Sequence, residues 1–110
     1  MEEELTMREL LSLLRKANSE IPKRSKDFAQ AYKQYRMILS KELILEREKG
    51  TPVTILPDIV RGKENVANAK EQEIITEGLY KSCLEAINSY KLQIKILQER
   101  INKELEDEIT

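Results

Sequence analysis

The residue types that most often do chemistry are nearly missing from this chain. There is no histidine, and the single cysteine, Cys83, lies in an apolar stretch with no base beside it. The commonest general base and the commonest transition-metal ligand are therefore absent. Cys83 reads as a small core hydrophobe rather than a nucleophile. Three glycines, Gly50, Gly62 and Gly78, are too far apart to form a phosphate-binding loop. Acids are plentiful, but Glu71 and Glu73 fall on different faces of a helix, and Glu104, Glu106, Asp107 and Glu108 form a solvated run rather than a converging pair. No enzyme chemistry, cofactor or metal is expected from these residues.

Binding is the remaining class of work, and two groups of residues suit it. Between residues 21 and 49, Lys23, Arg24, Lys26, Lys33, Arg36, Lys41, Arg47 and Lys49 outnumber Asp27, Glu42, Glu46 and Glu48, with Tyr32 and Tyr35 among them. Lys33, Arg36 and Lys41 are the candidate contacts for an anionic ligand such as a nucleic acid or nucleotide, with the tyrosines available for stacking. The competing reading is a solvated helix face whose tyrosines belong to the core. The second group, Val53, Ile55, Leu56, Ile59 and Arg61, is too apolar for an idle loop. It either caps the fold or forms an edge that binds a partner.

The elements that would hold these groups follow from periodicity. Charged residues make up 35% of the chain and aromatics 5%, the composition of long exposed helices, while the 40% of apolar residues recur at helical spacing and argue against disorder. Leu10, Leu14 and Ala17, widened by Leu11 and Leu13, predict a helix over residues 3–18, with Glu2, Glu3 and Glu4 suiting its positive end. Pro22 lacks a backbone donor and disfavours helical geometry at Ile21, which predicts a break. From Ser25 as N-cap, Phe28, Ala31, Tyr32, Tyr35, Ile38, Leu39, Leu43 and Leu45 predict a second helix over 26–49, closed by Gly50. A tip loop follows over 50–62, where two prolines and β-branched residues predict an extended or turned segment, a very short strand at Val53–Ile55 being one form of it.

A third, long helix over 63–107 carries the clearest pattern. Tyr80, Cys83, Ile87, Tyr90, Ile94, Leu97 and Ile101 alternate three and four residues apart, a heptad seam. Gly78 lies inside this helix, where a bend, a close contact or a break is expected. At about 1.5 Å per residue the long helix spans roughly 67 Å and the two earlier helices together roughly 60 Å. The fold expected is all-α: an antiparallel, coiled-coil-like helical hairpin in a single domain, with one long C-terminal helix packed on two shorter N-terminal helices and an extended apolar tip loop. A compact three-helix bundle is the alternative and requires a break at Gly78.

Leu84, Leu92 and Ile96 lie off this seam, and Met37 and Ile44 lie off the main face of the second helix. A second apolar face implies a second contact, so the chain is expected to self-associate, most simply as a dimer. The net charge of −1 argues against coating nucleic acid or an anionic membrane by bulk electrostatics. No signal-peptide block or apolar run of spanning length appears, which makes the cytoplasm the expected compartment.

From Gly50 onward, the run GTPVTILPDIVRG followed by EGLYKSCLEAINSYKLQIKILQERINKE resembles small helical proteins encoded by bacteriophages and prophages of Gram-positive bacteria. The resemblance rests on the apolar tip loop and on Tyr80-Lys81, Glu85-Ala86-Ile87-Asn88, Lys91 and Ile96-Leu97, and covers roughly the C-terminal half. It implies an accessory phage protein acting in the host cytoplasm and supplies no catalytic residue. The function expected from the helical faces and the tip is that of an interaction protein that binds and modulates a host or phage protein, for instance one of defence or replication. A virion assembly or scaffold part is a further alternative.

Overall fold

A computed structural model describes residues 2–109. Three helices account for nearly all of them: α1, Glu2–Glu48; α2, Leu56–Arg61; and α3, Glu64–Ile109. No strand occurs among the described residues, and of the extended and turned forms open to Val53–Ile55 the turn is the one adopted. The architecture is the expected all-α helical hairpin, with the long C-terminal helix packed antiparallel on the N-terminal part of the chain.

One boundary differs. The helices expected over 3–18 and 26–49 are a single helix that runs through Pro22. The reason lies in the seam of α1. Leu10, Leu14, Ala17, Ile21, Phe28, Ala31, Tyr35 and Ile38 are buried or half-buried and keep one alternation of three- and four-residue steps, with half-buried Arg24 completing it. Pro22 falls just off that stripe and is exposed, so its ring displaces no packed side chain and the carbonyl it leaves without a donor can turn to water. Burial on both sides of the proline outweighs a local penalty of about 3 kcal/mol. The chain divides into two compact units, residues 1–22 with 81–110 and residues 23–80.

In the first unit, Ala17, Cys83 and Ile87 form a buried cluster on which Leu14, Ile21 and Tyr90 pack. The Cys83 thiol donates to the Ala17 carbonyl at 3.3 Å, which confirms Cys83 as a core residue. Leu10 and Leu97 are buried further along, and Ile94 and Ile101 are half-buried. At its far end the Glu3 and Glu104 carboxyls meet, and hydrogen bonding to Glu3 is the largest cause holding Glu104 above its ordinary value.

In the second unit, Leu56, Val60 and Val66 are buried together against Tyr35, Ile38, Leu39 and Leu43. The Phe28 and Tyr80 rings stack with centroids 6.3 Å apart. Buried Glu73 accepts from the Lys70 ammonium at 3.2 Å, and the same ammonium lies 4.8 Å from the centre of the Tyr35 ring. A carboxylate on the seam is thus matched by a cation that also covers an aromatic face.

α3 runs unbroken through Gly78, which rules out the compact three-helix alternative. Gly78 is exposed, and a Cβ built there meets nothing within 4 Å. It costs helix propensity with no packing return inside the chain. Gly78→Ala is therefore expected to stabilise the protein by about 0.5 to 1 kcal/mol, read as a raised midpoint in urea unfolding followed by circular dichroism. A lowered midpoint would mean that the glycine answers a contact outside this chain.

Candidate interaction surface

The tip is built from the end of α1 outward. Gly50 takes a left-handed φ of 88°, which lets the chain leave the helix. The Ile55 and Leu56 amides then donate to the Pro52 carbonyl at 3.2 and 3.1 Å, tightening the turn that starts α2. α2 drops Leu56 and Val60 into the core one turn apart.

A polar clamp ties this loop to α1. The Lys63 ammonium reaches Glu42 at 2.9 Å and Glu46 at 2.8 Å. Asn65 donates to the second oxygen of Glu42 at 3.0 Å, and the Thr51 hydroxyl donates to the second oxygen of Glu46 at 2.9 Å. Both carboxylates are thereby satisfied on both oxygens. Hydrogen bonding to Lys63 is the first cause that lowers each of them, and hydrogen bonding to Glu46, then to Glu42, raises Lys63. Sequence reasoning missed this clamp. Its signal was the pair Glu42 and Glu46, one turn apart on the face that carries Ile38 and Leu39.

The five tip residues separate once placed. Val53, Ile55 and Ile59 are 64%, 46% and 40% exposed, whereas Leu56 is 7% exposed and belongs to the core, so it is withdrawn as a contact residue. Arg61 is exposed and lines a groove of about 570 Å³ together with Tyr35, Val66, Lys70, Glu71 and Ile74, so cations and an acid share its walls.

Lys33, Arg36 and Lys41 are all exposed on α1. In the segment 21–49 the acids Asp27, Glu42 and Glu46 are half-buried and Glu48 is exposed, while Arg24 is half-buried and Lys23, Lys26, Lys33, Arg36, Lys41, Arg47 and Lys49 are exposed. Exposed cations therefore outnumber exposed acids on this part of α1. Of the two tyrosines, Tyr35 belongs to the core and Tyr32 is exposed. Among the described residues no group of histidine, cysteine and acidic side chains could hold a metal ion, and no helix is long and apolar enough to cross a membrane. No protein-family model, curated protein or solved structure matches the chain.

The clamp sets a pH window. Glu42 and Glu46 bind protons less tightly folded than unfolded, so their contribution is complete above the ordinary carboxylate value of 4.5 and is lost as pH falls through the lowered folded values. Lys63 binds its proton more tightly folded, so its contribution is complete below 10.5 and is lost as pH rises through the raised folded value. Lys63→Met should lower the thermal midpoint at pH 7 and flatten its fall on acidification. A mutant that loses stability below pH 4.5 as steeply as the parent would refute the clamp.

Proposed function

We propose that this chain is a non-enzymatic interaction module: a phage-encoded accessory protein that self-associates and binds a host or phage protein through its tip loop. The observation that carries this reading is the clamped loop with Val53, Ile55 and Ile59 held in solvent. Large aliphatic side chains fixed before binding lose little conformational entropy on contact, which is the usual character of an interface anchor. The setting in a bacteriophage of Gram-positive bacteria comes from the resemblance of the C-terminal half, and action on a defence or replication protein is the use it suggests. Self-association draws its support from the exposed apolar residues off the seam, Met37, Ile44, Leu84, Leu92 and Ile96. A photo-crosslinking residue at Ile55 or Ile59, expressed in a Gram-positive host, should yield a discrete adduct whose mass is not a multiple of the chain's own. The same residue at Lys95, on α3, should not. Val53→Ser with Ile59→Ser should abolish the adduct without loss of helicity. A tip that captures nothing beyond the Lys95 background would count against this reading.

A second reading is favoured by one observation, the excess of exposed cations over exposed acids on α1 between residues 21 and 49. Such an excess suits a polyanion, nucleic acid first. Binding to a DNA duplex should then weaken linearly on a log–log salt plot, and replacing Lys33, Arg36 and Lys41 by Ala should reduce the slope by about two to three. Binding that is absent at low salt, or indifferent to salt, ends this reading.

A further inference from the structure

α1 carries a second heptad row on its exposed side. Met37 and Ile44 lie one heptad apart and are each 58% exposed. In the three- and four-residue steps of a packing seam they fall in one row with Lys33, Ser40 and Arg47, flanked by Arg36 and Lys41, and all of these are exposed. Asp27, Glu42 and Glu46 lie off the row and are half-buried, while exposed Glu48 closes it one turn past Ile44. Local shape adds a second observation. Met37, Ser40, Lys41 and Ile44 stand at i, i+3, i+4 and i+7, the four corners of the hole into which a facing helix inserts one side chain. With Arg36 they line a shallow depression of about 630 Å³, and Ser40, the shortest of them, leaves room between the two aliphatics. No ion pair among the described residues takes up Lys33, Arg36 or Lys41. Where α3 borders this row, beside Lys33 and Met37, it offers neutral Gln72 and Thr76.

We infer that this row is the docking face for an acidic amphipathic helix of another protein, which sets an aliphatic side chain between Met37 and Ile44 and carboxylates against Lys33, Arg36 and Lys41. A second copy does not fit. Two such rows laid together would bring their cations face to face, and like charges across a helix pair oppose association. Nucleic acid satisfies only part of the face, because phosphates pair with the cations but give Met37 and Ile44 nothing apolar to bury against. An amphipathic helix with acids beside its apolar stripe uses both, in the helix-on-helix manner of a coiled coil. The inference extends the interaction-module reading to a surface other than the tip and does not rest on the tip.

The probe is a fluorescein-labelled synthetic peptide of about three heptads, with Leu at its core positions and Glu at the flanking ones, read by fluorescence anisotropy. Its control keeps every Glu and replaces every Leu by Ser. The Leu peptide should bind with a dissociation constant on the order of tens of micromolar, and the Ser peptide about tenfold more weakly or worse. Met37→Ser with Ile44→Ser should weaken the Leu peptide about tenfold and leave the Ser peptide where it was. Lys33→Glu with Arg36→Glu should abolish the complex, and Val53→Ser with Ile59→Ser should leave it intact. Every substituted position is exposed, so helicity should persist, checked by circular dichroism. Equal binding of the two peptides, or no effect of the serine pair on α1, overturns the inference and leaves a face that reads charge alone, as the nucleic-acid reading has it. No binding of the Leu peptide at about 100 μM overturns the inference and leaves the tip reading untouched. Loss of the peptide in the tip variant instead places it on the tip, which overturns this inference and supports that reading.

Discussion

Everything in this protein hangs on one seam: the antiparallel contact between α1 and α3, made by side chains that alternate three and four residues along each helix. Two helices packed alone can bury only the stripe each turns toward the other, so about half of each circumference has no internal partner. The burial pattern follows. Seam residues such as Ala17, Cys83, Ile87 and Val66 are buried, and aliphatics a step away, such as Leu84 and Leu92, are not. Hydrophobic burial is spread thinly along great length, and no point can accumulate a deep core. The densest packing sits where a third element is present: α2 adds Leu56 and Val60 to the wall made by Tyr35, Ile38, Leu39 and Leu43.

That third element explains the polar clamp. A loop joining two long helices would be a loose end of the hairpin, and α2 has only six residues to hold it down. Lys63, shared between Glu42 and Glu46, ties the start of α3 to the end of α1 close to where Val60 and Val66 are buried. Exposed ion pairs contribute little to stability. Here both carboxylates are half-buried and every oxygen has a donor, so the arrangement fixes the position of the loop more than it adds raw stability. Val53, Ile55 and Ile59 owe their fixed display to this bracing.

Most of the fold could be read from the residues because the heptad signal is long and repetitive. The seam of α3 from Tyr80 to Ile101 was legible directly, and it is buried or half-buried throughout. Pro22 predicts a break by a local rule, and the periodic pattern overrides it: the alternation passes from Ala17 through Ile21 and Arg24 to Phe28 without losing phase. An actual break would have shifted it. Leu56 was misread for the opposite reason. Within an apolar run of loop residues no period separates inward from outward, and only the short helix, with Leu56 and Val60 one turn apart, decides that Leu56 is core and Val53 is not. The Glu42–Lys63–Glu46 clamp joins residues distant in sequence, and no local pattern could have paired them.

The thin core also constrains how the proposed surfaces can be used together. Arg61 belongs both to the tip and to the groove lined by Tyr35 and Val66, so a partner at either one would engage it. Lys33, Arg36 and Lys41 of α1 are exposed. A dimer of this chain would carry two tips and two sets of these cations. Engagement of both copies by one partner would raise the apparent affinity through effective concentration rather than through any new contact. For a hairpin whose single surfaces are small, that is the physical advantage the proposed self-association would confer.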